Sequence, residues 1–237
     1  MRTRLHIYVI AKEGEKVNKD NVSRFETAVS FTGQRIKRLL ADLPENIKSQ
    51  TQEVRLRCSR PLILSGLFGN AFVFDGGRIG FVYSKSAYTV TVDDMEECFH
   101  CVCGYSVHTH QSSICKGFVT VKGGHRVGIT GTAVCAGGEI TAVREISSIN
   151  IRISKEYKGI ATGLFSAVKN LSNKSTIIAG APSSGKSTVL RDLARLMSGE
   201  EGGYFKTVII DEREEIAACS NGVPGNDVGI SCDVLSK

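Results

Sequence analysis

Gly180-Ala181-Pro182-Ser183-Ser184-Gly185-Lys186-Ser187 matches the pattern G-x-x-x-x-G-K-[ST] at every fixed position, and no other stretch confines the fold as tightly. Such a loop works only between a strand and a helix. Its glycines let the backbone wrap so that successive N–H groups point inward at an anion, and the helix behind it aims its partial positive end at the same charge. The flanks agree with that requirement. Ser175-Thr176-Ile177-Ile178-Ala179 reads as a short buried strand, and Val189, Leu190, Leu193 and Leu196 recur at helical spacing after the loop. The implied ligand is ATP with Mg²⁺: Gly180 to Ser187, together with Thr188, form the expected contact set, Lys186 reaching the β and γ phosphates and Ser187 giving its hydroxyl to the metal.

The chain changes character near residue 155. An N-terminal α+β domain is expected over residues 1–155, followed by a phosphate-loop, RecA-like nucleotide-binding domain over 156–237, an α/β arrangement overall. In the front part residues 34–43 read as a helix, and residues 53–58 alternate like a half-buried strand. Further strands are expected over 61–64, 71–74, 80–83, 118–121, 126–129 and 149–153, with turns at Gly76-Gly77 and Gly123-Gly124. Thr91 followed by Asp94 marks a helix start, and that helix is expected to run to about Cys103. Another helix is expected over 160–171, its face formed by Ile160, Leu164, Phe165, Val168 and Leu171 and its end set by Asn173.

No apolar run reaches the ~18 residues of a membrane span, and no secretory signal opens the chain, so a cytoplasmic protein is expected. Its eight cysteines then read as reduced thiols. Cys98, Cys101 and Cys103, with His100, His108 and His110 nearby, include one C-x-x-C but no second pair, and inside a predicted helix they read as packing rather than zinc ligands. The net charge of +6 is uneven: residues from 159 onward carry eight bases against nine acids, which leaves +7 on the front. That excess suits nucleic acid, an anionic membrane surface, a neighbouring subunit's nucleotide, or no specific anion. Aromatic residues are only 7% of the chain and Trp is absent, so specific nucleic-acid binding is not expected.

Several ordered runs together resemble one family. They are Arg126-Val127-Gly128-Ile129, residues 146–153, Lys158-Gly159, the phosphate loop with residues 188–196, Val208-Ile209-Ile210-Asp211-Glu212-Arg213-Glu214-Glu215-Ile216, and the tail 222–229 followed by Asp233-Val234-Leu235. The family is that of stage III sporulation protein AA, and the likeness runs from about residue 35 onward. The resemblance implies a motor-like ATPase, similar to those of type II and type IV secretion and pilus assembly. It would act from the mother-cell cytosol, peripheral to the membrane, on membrane proteins of a channel toward the forespore, and assemble with itself into a ring. It also implies an acidic catalytic box at the end of 208–210, where Glu212 polarises the attacking water and Asp211 holds it or the metal-bound water; which acid does which stays open.

Relatives carry further strands, including the metal-holding one. The 58 residues from Gly180 to Lys237 are therefore expected to form a nucleotide domain incomplete at its C-terminus, without turnover of its own. Ring ATPases take a γ-phosphate-stabilising guanidinium from a neighbouring subunit or a linker, and Arg126, Arg144 and Arg152 are the candidates for that role beyond their own subunit, while Arg191 and Arg195 are expected to pair with nearby acids. Two other functions remain open: a nucleic-acid-dependent ATPase and a non-catalytic nucleotide-binding assembly subunit.

Overall fold

A computed structural model describes residues 19–168, 175–182, 184–199, 205–219 and 222–236. Ser183 of the phosphate loop and Leu171 and Asn173 at the expected helix end lie outside these residues.

The front of the chain builds one seven-stranded antiparallel sheet in the order β4-β3-β2-β1-β7-β6-β5. Two meanders make it: β1 (Thr51–Arg57), β2 (Ile63–Gly66), β3 (Gly69–Phe74) and β4 (Arg78–Gly80), then β5 (Phe118–Val121), β6 (His125–Ala136) and β7 (Glu139–Arg152). Pairing of β1 with β7, from Glu53↔Arg152 to Arg57↔Ser148, joins them. Period-two alternation decides the faces. Val54 and Leu56 of β1 and Ile149 and Ile151 of β7 point into a core closed by Phe25 of α1 (Lys19–Val29), Ile36 and Leu40 of α2 (Gln34–Ala41), Met95 and Cys98 of α4 (Val92–Val102) and Ile114 of α5 (Gln111–Cys115). The other face carries Glu53, Arg55, Arg57, Arg126 and Arg152.

The helix expected over 34–43 is α2, which ends at Ala41, and a second helix, not expected from the sequence, follows it. Pro44 lacks an N–H and cannot continue α2, so it caps a new one, α3 (Glu45–Gln50). At Thr91 both halves of a capping box form: its hydroxyl accepts the Asp94 amide at 3.2 Å, and the Asp94 carboxylate accepts the Thr91 amide at 2.9 Å. The turns at Gly76-Gly77 and Gly123-Gly124 hold positive φ (73° and 69°, 86° and 71°), conformations that glycine adopts without strain. The strand expected at 80–83 ends at Gly80, and Phe81, Val82 and Tyr83 are exposed. The short strands expected at 126–129 and 149–153 are the sheet-bound ends of a much longer hairpin that runs out to Gly137-Gly138.

In the second unit, α6 (Thr162–Val168) and α7 (Lys186–Ser198) pack together through Phe165, Val189, Leu193 and Leu196. Strands β8 (Thr207–Asp211) and β9 (Cys232–Ser236) pair in parallel, with Ile209 against Ala194 of α7. Val189, Leu193 and Leu196 share the buried face, whereas Leu190, expected on it, is turned about 100° away and lies exposed. Ile160 is likewise exposed, and the helix starts only at Thr162. Residues 175–179, expected to form a buried strand, are not in one, and Ile177 is 89% exposed. The reason is pairing: among the described residues no strand lies beside them, and an apolar run becomes a strand only where a ladder takes its backbone groups.

The two units meet at the β5–β6 turn. Arg24 of α1 donates to the carbonyls of Gly123 (3.1 Å) and Ser154 (3.2 Å) and to Asn226 Oδ1 (3.2 Å), and it ion-pairs with Glu156. A Cβ on Gly225 would stand 2.5 Å from the Gly124 amide nitrogen, so the tail packs backbone against backbone there. His125 is fully buried beside this junction; its Nδ1 accepts the Ser154 amide at 3.1 Å, and its Nε2 has no partner among the described residues.

Burial, helped by the Arg24 charge, lowers the His125 pKa from 6.5 to about 4. Between those values the unfolded chain binds more protons. Stability is therefore expected to rise with pH across that window, to be complete above about 6.5, and to be lost as pH falls toward 4. Urea midpoints at several pH values check this, and a His125→Gln variant with an undiminished slope would refute the assignment.

Candidate nucleotide site

Helix α7 starts at Lys186, and Gly185 before it holds φ 88°, ψ 10°, a left-handed geometry that a side chain would strain. A Cβ on Gly180 would stand 2.7 Å from Ser184 Oγ, so any side chain at the first glycine of the motif would make that hydroxyl turn away. Lys186 Nζ donates to the loop's own carbonyls, Gly180 O at 3.1 Å and Ala181 O at 2.7 Å, and bridges its two ends. Ser187 Oγ donates to Glu215 Oε2 at 3.3 Å.

Gly185, Lys186, Ser187 and Thr188 form one wall of a cavity of about 470 Å³, a size typical of small-molecule sites. The front sheet supplies the opposite wall with Thr120, Gly124, Arg126 and Arg152, and Arg213, Glu214 and Glu215 close a third side. Arg126 and Arg152 are direct cross-strand partners. Two like charges placed so are unfavourable by themselves. Arg126 lies 3.6 Å over the Phe118 ring and Arg152 pairs with Glu53 at 3.3 Å, but both remain exposed; the exposed ion pair offsets little of the repulsion. An anion in the cavity would relieve it. Arg144 sits opposite Thr132 on the outer hairpin and does not line this cavity.

Asp211 ends β8 and is buried. Its carboxylate accepts four backbone amides: Glu215 at 3.0 Å, Ile216 at 3.1 Å, Ala217 at 2.9 Å and Ala218 at 3.2 Å. Glu212 next to it is exposed. The following two acids face the cavity, Glu215 against Ser187 and Glu214 accepting the Thr120 hydroxyl at 2.7 Å. Neither had been singled out, because in a run of four acids among five residues nothing local says which side chains turn inward. Arg195 pairs with Asp192 at 2.9 Å as expected. Arg191 instead donates to three backbone carbonyls.

The cysteine cluster stays apart from this cavity. Cys98 is buried with Sγ 3.6 Å from Phe31 O, and burial pushes its thiol well above the ordinary range. Cys103 is pushed up to about 11 for the same reason, and all eight cysteines are free. Among the described residues no helix is long and apolar enough to cross a membrane.

The chemistry of this donor set fits a phosphate chain with a divalent cation. Gly185, the α7 N-terminus, Lys186 and two arginines line the cavity with groups that would hold an anion, while the Ser187 hydroxyl and the Glu215 carboxylate offer hard oxygen ligands.

Comparison with known proteins gives the following likenesses. The model of the family described as sporulation stage III, protein AA, matches residues 23–237. Stage III sporulation protein AA of Bacillus subtilis (strain 168) is 36% identical over 202 residues, which are 84% of this chain and 62% of that protein. The chain thus spans 62% of the length of this curated relative. Among solved structures, the Legionella pneumophila ATPase DotB aligns at 18% identity over 87% of this chain and 52% of its own, with a TM-score of 0.44. The VirB11 ATPase from the Brucella suis type IV secretion system, in complex with sulphate, aligns at 12% identity over 80% and 57%, with a TM-score of 0.30.

Proposed function

Because the chain belongs to the family of sporulation stage III protein AA, we propose that it is the ATP- and Mg²⁺-binding part of a motor-type ATPase that serves a sporulation channel from the mother-cell cytosol. In this reading residues 156–237 carry the phosphate loop and residues 1–155 the arginine floor opposite it. The single observation that carries the proposal is the cavity in which Lys186, Ser187 and Thr188 face Arg126 and Arg152.

Binding follows from the chain's own groups. Lys186 leaves the Gly180 and Ala181 carbonyls for the terminal phosphates, and the freed loop presents its amides and the α7 N-terminus to the rest of the chain of phosphates. Ser187 and Glu215 would hold Mg²⁺ through their side-chain oxygens, and the metal would supply charge neutralisation and orientation of the phosphates. Negative charge bound between the loop and the two arginines would offset the mutual repulsion of Arg126 and Arg152. Glu212, exposed beside the cavity wall, is assigned the water-positioning role, and Asp211 shapes the loop that carries it. Self-assembly into a ring and contact with membrane proteins of the channel complete the proposal.

The test uses the protein at the full length of its curated relative. Glu212→Gln is expected to lower steady phosphate release on the order of 100-fold, the usual scale for losing a general base, and to leave Mg·ATP affinity unchanged. Full turnover in that variant would reject Glu212, and absence of any Mg·ATP binding by the unaltered protein would reject the whole reading.

A further inference from the structure

Arg191 stands one turn after Ser187 on the same face of α7. Its Nη2 donates to Glu215 O at 2.6 Å, its Nε to Ile216 O at 2.9 Å and its Nη1 to Lys155 O at 3.1 Å. All three of these acceptors are backbone carbonyls, none a carboxylate. A half-buried guanidinium whose hydrogen bonds all go to carbonyls gives up part of its hydration for neutral acceptors, and desolvation lowers its pKa against the attraction of Glu156 and Asp211.

In the acidic loop the amides of Glu215 and Ile216 go to Asp211, and the carbonyls of the same two residues go to Arg191. The backbone at 215–216 is thus clamped from both sides, between an acid on β8 and a guanidinium on α7. The side chain that this clamp aims is the one that meets Ser187. The third arm of the fork fastens the same helix turn to Lys155, in the linker between the Arg152-bearing strand and the second unit. A lysine cannot substitute, since one ammonium offers no planar fork for three diverging carbonyls.

We propose that Arg191 is a positioning residue for the cation side of the site: clamping residues 215–216 against Asp211, it sets the Glu215 carboxylate at Ser187 and ties that geometry to the linker at Lys155. The inference rests on the nucleotide reading above. It predicts that Arg191 matters for the contribution of Mg²⁺ to nucleotide affinity and not for nucleotide affinity as such.

The test is calorimetry of ATP binding to the 237-residue chain, with Mg²⁺ and in EDTA, for the unaltered protein, Arg191→Lys, Glu215→Gln and the double variant. In the unaltered protein Mg²⁺ is expected to tighten binding on the order of tenfold or more. Arg191→Lys should lose most of that gain while its affinity in EDTA stays within about twofold, and the double variant should lose no more than either single one. A metal gain retained in Arg191→Lys, or equal losses with and without the metal, would overturn the proposal. Should Arg191→Lys fail to fold, Glu215→Gln alone decides: its side chain is exposed, and an intact metal gain there overturns the proposal equally. Absence of ATP binding by the unaltered chain in both buffers is a different result, since it removes the nucleotide reading itself.

Discussion

Lys186→Ala is expected to weaken ATP binding in the presence of Mg²⁺ by roughly 100-fold or more, the loss of about 3 kcal/mol that accompanies removal of a charge-assisted contact to phosphate. The magnitude rests on what Nζ does in each state. Without ligand it bridges Gly180 O and Ala181 O, so the residue already contributes to the shape of the loop, and truncation also releases that closure. With phosphate it gives an ammonium to the most concentrated negative charge in the cavity, at a helix N-terminus where the field already favours an anion. Arg126 and Arg152 do not compensate, because their sheet positions are fixed on the far wall and each has a partner of its own. Calorimetry on the two proteins checks the expectation. Equal affinity would mean that the loop, despite its pattern, is not where the triphosphate sits.

Asp211→Ala is expected to be the most damaging single change to the second unit, on the order of 3–5 kcal/mol, the scale for removing one partner of a buried charged network. Four amides that now end on its carboxylate would lose their acceptor together. They lie in the turn after β8, and Ala217 and Ala218 at its end are fully or almost fully buried, out of reach of replacement water. Asp211→Asn should recover only part of the loss, since an amide group keeps one acceptor oxygen and sets a donor against donors. Against a total stability of about 5–15 kcal/mol for a domain, a change of this size is plainly visible in urea unfolding. An unchanged midpoint would show that the turn is held by something other than this carboxylate. Asp211 thus acts on the acidic run through the backbone, by holding the amide of Glu215, the acid whose carboxylate meets Ser187.

The difference between what could be read from the residues and what could not follows the range of the interactions. Signals settled by neighbours in sequence were legible: the left-handed need at Gly185, the box of Thr91 and Asp94, the paired glycines of two turns, the alternation in β1 and the phosphate-loop pattern all involve atoms within a few residues, where sterics and local hydrogen bonds dominate. Residues 175–179 had the composition of a strand but not its state, because a strand exists only where another strand takes its hydrogen bonds. The outer part of the β6–β7 hairpin was missed for the converse reason. Its residues are mostly exposed and carry little apolar alternation, yet each strand satisfies the other.

The cavity itself lies beyond any local pattern. Arg126 and Arg152, 26 positions apart, become neighbours through one antiparallel register, and they share a cavity with the phosphate loop because contacts such as Arg24 with Asn226, Gly124 with Gly225 and Thr120 with Glu214 hold the two units together. From the sequence alone came the proposed ligand class and the loop proposed to bind it, since the pattern for phosphate recognition is written over eight consecutive residues. Which acids and arginines share the cavity, and that Arg191 serves carbonyls where an acid was expected, was decided by tertiary packing, because burial forces a charged group to take whatever partners the fold brings within reach.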